Sequence, residues 1–274
     1  MSRRAGRATA QRDPAPVSPR AGRGPIAQRN PVAKLGAALL IALPLVATID
    51  PVSALVALLL EVPLLLAAGL SARQFWLRTL PLWIAAPASA VTIALYGAAS
   101  GEVYLEWLFV RVSEGSLLLA AATFLRVLAI GLPAVVLFVT VDPTDLADGL
   151  AQIVRLPARF VLGALAGMRM LGLLAEDWRA LSLARRARGV ADSGRVRRAL
   201  GTAFALFVLA IRRGSSLATA MEARAFGAPA ARTWARESRL TAGDGILLLT
   251  GAAISVAALA VSIAVGAFTP ILGP

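Results

Sequence analysis

Two tripeptides with similar sequences carry the residues best suited to binding a partner. The first is Ala187-Arg188-Gly189 and the second is Ala223-Arg224-Ala225, with their arginines 36 residues apart. A small residue lets a helix end approach a partner closely, and a guanidinium can bind a carboxylate through two parallel hydrogen bonds. An arginine in a last helical turn also complements the helix dipole, which is the simpler interpretation of either end alone. The repetition predicts docking to two similar partners or to two halves of a dimer.

Other kinds of chemistry are largely excluded by composition. The sequence contains no cysteine and no histidine, and its only lysine, Lys34, lies in no glycine-rich loop. A nucleotide-binding P-loop needs a lysine beside the phosphates, so we expect no ATPase activity in this chain. Histidine is the commonest general base and metal ligand, and its absence argues against an enzyme. We therefore predict a non-catalytic protein that binds no metal and no cofactor itself.

One group of acidic residues keeps an enzymatic alternative open. Asp142, Asp145 and Asp148 recur every third residue, and carboxylates at that spacing could hold Mg²⁺ on one helical face. The alternative is a membrane-embedded enzyme that processes lipid or prenyl substrates. Capping of a helix start by Asp142 or Thr144 is the simpler role for this region.

Hydropathy indicates an all-α integral membrane protein. Of 274 residues, 58% are apolar and 16% are charged, and the mean hydropathy is +0.75. A membrane-spanning helix needs about 20 mainly apolar residues. The sequence predicts about five such helices, in apolar stretches at 35–49, 52–70, 80–99, 117–141 and 245–268. The first stretch is short, so a shallow or tilted element is the alternative to a full span there.

Charge sets the predicted orientation in the cell membrane. The net charge is +13, and basic segments of membrane proteins stay in the cytoplasm. This rule places the N-terminus, loop 71–78 and segment 142–240 inside, and the acidic loop 100–116 and the C-terminus outside. The predicted domains are a disordered basic cytoplasmic tail (1–33), N-terminal transmembrane helices (34–141), cytoplasmic coupling helices (142–240) and a C-terminal transmembrane helix (241–274). The basic excess suits a lipid bilayer, and no nucleic-acid partner is expected.

Segment 142–240 is predicted to form three helices, at 144–154, 158–188 and 195–224. Pro157, residues 189–194 and Gly227-Ala228-Pro229 separate or end them. The apolar run 199–211 is too short to cross the bilayer, so we expect an interfacial or packed helix. Four of its residues fall on one helical stripe: Phe204, Phe207, Val208 and Ile211.

Two charges lie inside predicted spans. Glu61 is midway along the second apolar stretch and Arg126 lies in the fourth. Ionisable groups in a membrane usually face a partner or a cavity. One hypothesis is that Glu61 and Arg126 approach each other within the bundle; the alternative is that each faces a polar neighbour elsewhere.

This layout resembles the transmembrane T component of energy-coupling factor (ECF) transporters, the family that includes the cobalt and biotin transporter T subunits. Members carry two Ala-Arg-Gly-type motifs in a cytoplasmic helical region before the last span. Ala187-Arg188-Gly189 matches the first motif fully. Ala223-Arg224-Ala225 matches the second with alanine in the third place, where Gly227 could supply the turn instead. The sequence from Asp142 to Gly149 and the Leu156-Pro157 pair are also similar to the family.

The resemblance implies a coupling subunit for vitamin or transition-metal uptake. Two cytoplasmic ABC ATPases would bind ATP and Mg²⁺ and would receive the helix ends at Arg188 and Arg224. A separate substrate-binding membrane subunit, the S component, would pack against the apolar helices. Motion of the ATPases would pass through this chain to the S component.

Overall fold

The computed structural model describes residues 24–97, 100–107, 110–189, 194–227, 233–234 and 236–271. The predicted all-α membrane architecture is confirmed. The helices and strands, in chain order, are α1 (Pro31–Val46), α2 (Pro51–Ala67), α3 (Ala72–Tyr96), β1 (Val103–Trp107), β2 (Val110–Ser113), α4 (Glu114–Val139), α5 (Pro143–Gln152), α6 (Ala158–Ala187), α7 (Arg195–Ala223) and α8 (Ala242–Ala264).

Five helices in the described residues are long and apolar enough to cross a membrane: α3, α4, α6, residues 199–223 of α7, and α8. Helices α3, α4 and α8 lie in predicted stretches, whereas α1 and α2 are shorter apolar helices. Helix α7 continues beyond the 13-residue apolar run through Arg212 and Arg213 to Ala223, and this added length brings it into the range of a span. Few side chains of α6 and α7 are buried within this chain.

The chain divides into two compact units. Among the described residues, unit 1 contains 24–29, 34–141 and 246–271, and unit 2 contains 30–33 and 142–245. Residues 1–23 of the predicted tail lie outside the described residues. The rest of that segment is folded, since Ile26 and Ala27 are buried and α1 begins at Pro31. The fold therefore starts before the predicted boundary at residue 33.

Helices α1 and α8 of unit 1 approach each other closely. Ser255 of α8 donates a hydrogen bond to the carbonyl oxygen of Leu40 (2.5 Å), and a Cβ on Gly251 would lie 3.0 Å from the Ala37 carbonyl oxygen. Small residues allow such contact between helices in lipid, where packing replaces the hydrophobic effect. The core around this contact also includes α2 and α4 and is formed by Ile41, Leu45, Ala57, Ala129, Ile254 and Ala258.

The connection between α1 and α2 meets the end of the chain. The Ile49 N–H donates to the Thr269 carbonyl oxygen (2.8 Å), and the Ile271 N–H donates to that of Ala47 (3.0 Å). Asp50 caps α2 at the Ser53 N–H (2.7 Å) and accepts a hydrogen bond from Ser262 of α8 (2.7 Å). These contacts place the α1–α2 connection and the end of α8 together, as the predicted alternation of spans requires.

The loop 100–116 contains a structure that hydropathy did not predict. Strands β1 and β2 pair as an antiparallel hairpin, with Val103 opposite Ser113 and Trp107 opposite Val110. β-Branched and aromatic residues favour strands, so the sequence did contain a signal for this hairpin. Ser113 ends it and caps α4 by accepting a hydrogen bond from the Ser116 N–H (3.2 Å).

The predicted helices of unit 2 are confirmed to within two residues at each end. Asp142 caps α5 by accepting a hydrogen bond from the Thr144 N–H (2.7 Å), as expected. Helices α6 and α7 form an antiparallel hairpin. Asp177 of α6 binds Arg213 of α7 through two hydrogen bonds, and Arg185 near the end of α6 donates to Thr202 near the start of α7 (2.8 Å).

Candidate docking site on two helix ends

The first helix end is terminated by a glycine in the left-handed conformation. Helix α6 ends at Ala187, Arg188 is its C-cap, and Gly189 has φ of +68°. The Arg188 N–H donates to the Ala184 carbonyl oxygen (3.2 Å), and the Gly189 N–H donates to that of Arg186 (3.1 Å). Glycine adopts this φ without steric cost, which is why it commonly follows a helix. The turn exposes the arginine at the tip.

The second helix end has the same backbone form with a different residue. Helix α7 ends at Ala223, Arg224 is its C-cap, and Ala225 has φ of +55°. The Ala225 N–H donates to the Glu222 carbonyl oxygen (2.9 Å), and the Phe226 N–H donates to that of Met221 (3.0 Å). Gly227 follows with φ of +88°, so it adds a second left-handed residue and does not replace the first. Ala225 therefore occupies the backbone position that Gly189 occupies at the first end.

Both tips present their side chains outward. All six residues of the two motifs are exposed, namely Ala187, Arg188, Gly189, Ala223, Arg224 and Ala225. Among the described residues, neither Arg188 nor Arg224 makes a side-chain hydrogen bond or an ion pair. An exposed guanidinium beside an alanine can enter a groove on another protein and bind a carboxylate there.

The α6–α7 hairpin places the two tips far apart. Because the helices run antiparallel, the end of α6 lies beside the start of α7, and the end of α7 lies at the other extreme. Helix α7 has 29 residues, which at 1.5 Å per residue gives a separation of about 43 Å. One small binding groove cannot receive both tips. The geometry fits two separate grooves.

The sequence pattern of the cobalt transport protein family CbiQ matches residues 23–233, a range that contains both helix ends. The chain belongs to this family. The predicted resemblance to ECF T components is confirmed by this match and by the relatives of the chain.

Three relatives of this CbiQ-family chain carry the name energy-coupling factor transporter transmembrane protein EcfT. The protein of Exiguobacterium sibiricum is 32% identical over 162 residues, covering 54% of this chain and 62% of the relative. That of Limosilactobacillus fermentum is 28% identical over 197 residues (67% and 73%), and that of Brevibacillus brevis is 30% identical over 179 residues (61% and 67%). The chain matches less than two thirds of the first relative's length.

The three aspartates of the CbiQ-family chain that supported the enzymatic alternative do not form a metal site. No group of three acidic residues in the described part of the chain is arranged to hold a metal ion. Asp142 caps α5, and Asp145 accepts a hydrogen bond from Arg236 (3.3 Å). Asp142 therefore has the capping role that was the simpler interpretation, and the described residues do not support the Mg²⁺ alternative.

The two intramembrane charges are not joined to each other. Glu61 is fully buried, and neither of its carboxylate oxygens has a hydrogen-bond partner in the described residues. Arg126 is half-buried, and its Nε and Nη2 also have no hydrogen-bond partner in the described residues. Hydropathy gave the depth of both residues but could not give the direction of their side chains around the helix axes.

Replacing Ala225 with glycine should stabilise the CbiQ-family chain. A left-handed alanine costs about 1–2 kcal/mol relative to glycine, partly offset by the greater freedom of glycine in the unfolded chain. We expect Ala225→Gly to raise the free energy of unfolding by about 0.5–1 kcal/mol, measured by thermal unfolding in detergent.

Gly189→Ala provides the matched opposite change. No atom lies within 4 Å of a Cβ added at Gly189, so the expected loss of stability comes only from the left-handed backbone conformation. We expect Gly189→Ala to lower the free energy of unfolding by about 1 kcal/mol. Equal stabilities for these two variants would contradict the left-handed assignment of residues 189 and 225.

The pH dependence of stability should reflect Asp148. Burial, the largest cause, and the charge of Asp145 raise the pKa of Asp148, while Arg236 partly lowers it. The folded chain then binds this proton more tightly than the unfolded chain. The free energy of unfolding therefore falls as pH rises from the ordinary value of 3.8 through the raised pKa.

Asp148→Asn removes this titration, so its thermal midpoint should fall less than that of the original chain over the same rise in pH. Thermal unfolding at several pH values checks the difference, with Glu176→Gln as the control at an exposed carboxylate. An Asp148→Asn variant whose thermal midpoint falls with pH as steeply as that of the original chain would refute the prediction.

Proposed function

We propose that this chain is the transmembrane coupling subunit of an ECF-type ABC importer. It would transmit the ATP-driven motion of two cytoplasmic ATPases to a substrate-binding S component, for uptake of a vitamin or a transition-metal ion. The observation that carries the proposal is the pair of exposed arginine tips, Arg188 and Arg224, at opposite ends of one helical hairpin. The printed names of the three relatives, all ECF transporter transmembrane proteins, support the same assignment.

The two tips would each dock in a groove on one ATPase subunit. A separation of about 43 Å suits two subunits placed side by side better than one shared surface. Each guanidinium would bind an acidic group in its groove, and Ala187 or Ala223 would allow the helix end to enter. ATP and Mg²⁺ would be bound by the ATPases, and this chain would carry no cofactor and perform no catalysis. Segment 142–240 and the N-terminus would lie on the cytoplasmic side, with α6 and α7 as interfacial or packed helices rather than spans.

The S component would pack against exposed apolar helix faces. The predicted stripe on α7 is exposed along its whole length: Phe204, Phe207, Val208 and Ile211. Apolar side chains on a helix that its own chain leaves uncovered indicate either lipid or a protein partner. In this proposal the stripe contacts the S component, whose bound ligand would define the transported substrate.

Affinity purification of the tagged chain from its own membranes in mild detergent tests the proposal. Mass spectrometry of the bound proteins should find two ABC ATPases, or two copies of one, and a small, very apolar membrane protein. Small-molecule analysis of that membrane protein should then identify the substrate. Recovery of the chain alone under gentle extraction would overturn the proposal.

A further inference from the structure

A cluster of hydrogen bonds in unit 2 holds the chain segment that follows the second tip. The side-chain amide of Gln152, at the end of α5, donates to the Arg236 carbonyl oxygen (2.8 Å) and accepts from the Ser238 N–H (2.8 Å). The amide thereby pairs with the backbone of residues 236–238 as a neighbouring strand would. Residues 236–241, which precede α8, are here named the strap.

Asn30 joins the strap to the beginning of α1 and α8. Its side-chain amide donates to Ser238 Oγ (3.0 Å), and its Oδ1 accepts from the Val32 N–H (2.9 Å). Its backbone N–H donates to Asp244 Oδ1 (2.8 Å). Asp244 is fully buried, and its second oxygen accepts from the Thr241 N–H and hydroxyl (both 2.8 Å). We call Asn30, Gln152, Ser238 and Asp244 the polar clamp.

The packing around the polar clamp is tight. A Cβ at Gly149 of α5 would lie 2.6 Å from Val32 Cγ2 and 3.4 Å from Ser238 Oγ. Only glycine lets α5 approach the start of α1 this closely. Asp244 is buried, and the amides of Asn30 and Gln152 are half-buried with both ends hydrogen-bonded. A polar network whose hydrogen bonds are made specifies one arrangement of the segments it joins. The polar clamp therefore fixes α5, the strap and the first residues of α1 and α8 as one body.

The polar clamp lies on the chain path of both tips. The first tip, at Arg188, is the end of α6. The helix before α6 in the chain is α5, whose last residue is Gln152. The second tip leads forward to the strap and then to α8. Displacement of the strap reaches the start of α8 along the chain itself, whereas these hydrogen bonds join the strap to α5 and to the start of α1.

We propose that the polar clamp is a positioning device for coupling: it passes displacement of the helix tips to the starts of α1 and α8. The inference rests on the proposed function and adds the residues that would transmit the motion. It predicts that a loosened clamp separates ATP hydrolysis from transport, because the tips would still dock while the segments beyond them would no longer move together.

The test uses the complete purified transporter reconstituted in liposomes with Gln152→Ala in this chain. ATPase subunits should remain bound, and ATP hydrolysis should stay within about twofold, since neither tip is altered. Substrate uptake per ATP hydrolysed should fall roughly fivefold or more because two hydrogen bonds of the clamp are lost. Thr219→Ala, which removes only a bond to Ser215 within α7, is the matched control and should leave the ratio unchanged.

A covalent cross-link between residues 30 and 238 tests whether the lost coupling can be restored. The sequence has no cysteine, so Asn30→Cys combined with Ser238→Cys introduces the only two thiols of this chain. Without a link, this variant should be uncoupled in the same way as Gln152→Ala. A short thiol-specific cross-linker should restore the ratio of uptake to hydrolysis, which a general loss of stability would not allow. If Gln152→Ala fails to assemble, Ser238→Ala removes one bond and should lower the ratio to a smaller extent.

The outcomes separate the two proposals. An assembled complex whose ratio is unchanged in Gln152→Ala and in the double-cysteine variant would overturn the role of the clamp. A ratio that stays low after cross-linking would also overturn it. An original chain that retains no ATPases would overturn the proposed function and the coupling role together.

Discussion

Arg188→Ala combined with Arg224→Ala should remove both ATPases from the purified complex and abolish uptake. Truncating an arginine that anchors an interface costs about 2–4 kcal/mol, so each groove should lose at least about thirtyfold in affinity. The two losses should be independent, because the tips lie about 43 Å apart and share no contacts. Quantitative mass spectrometry of the co-purified ATPases measures the loss.

Each single variant should have a milder effect than the double variant. If the two ATPases bind each other, one intact tip still tethers the pair, and tethering greatly raises the effective concentration at the weakened groove. Arg186→Ala with Arg212→Ala is the control, since it removes the same charge from exposed positions on the same two helices. Wild-type amounts of ATPase on the Arg188/Arg224 double variant would show that the tips do not dock.

Lys34→Arg should destabilise the protein strongly even though it keeps the charge. Lys34 is the only lysine in a sequence with 28 basic residues, and it is almost completely buried in unit 1. Its ammonium donates to the carbonyl oxygens of Ala27 (3.0 Å) and Thr140 (3.1 Å) and to Thr140 Oγ1 (2.9 Å). Thr140 caps the C-terminal end of α4, where a positive charge is favourable.

The compact ammonium has three donors for these three acceptors, whereas a guanidinium is larger and planar. We expect Lys34→Arg to lower the free energy of unfolding by about 2–4 kcal/mol. Lys34→Met should cost a similar amount, because it leaves the acceptors buried without a donor. Thermal unfolding in detergent checks both variants against Arg186→Lys, an exchange between the same residue types at an exposed position. A Lys34→Arg variant as stable as the original chain would refute the argument.

Local signals in the sequence predicted unit 2 better than unit 1. Pro143 at the start of α5, Pro157 before α6 and Gly189 after it act on their own backbone, so the helix ends follow directly from residue type. The ends of α6 and α7, at Ala187 and Ala223, were predicted in the same way. The left-handed Ala225 was not predicted, because alanine, unlike glycine, gives no residue-type signal for that conformation.

Contacts between residues distant in sequence were not predictable from pattern. Hydropathy placed Glu61 and Arg126 at similar depth, but no hydrogen bond joins them in the described residues. The polar clamp joins residues 30, 152, 238 and 244, each of which is an ordinary polar residue near a helix end. Nothing in the spacing of such residues indicates that they meet.

The contact between α1 and α8 determines when the chain can finish folding during synthesis. Ser255 binds Leu40 across 215 positions of sequence, and Ser262 binds Asp50 across 212. The ribosome makes α1 more than 200 residues before α8, so α1 is in the bilayer before its partner has been made. Until then Asp50 lacks its Ser262 donor, and α1 lacks the helix that covers Ala37. The nascent protein therefore depends on lipid or the insertion machinery to shelter α1 until α8 has been made.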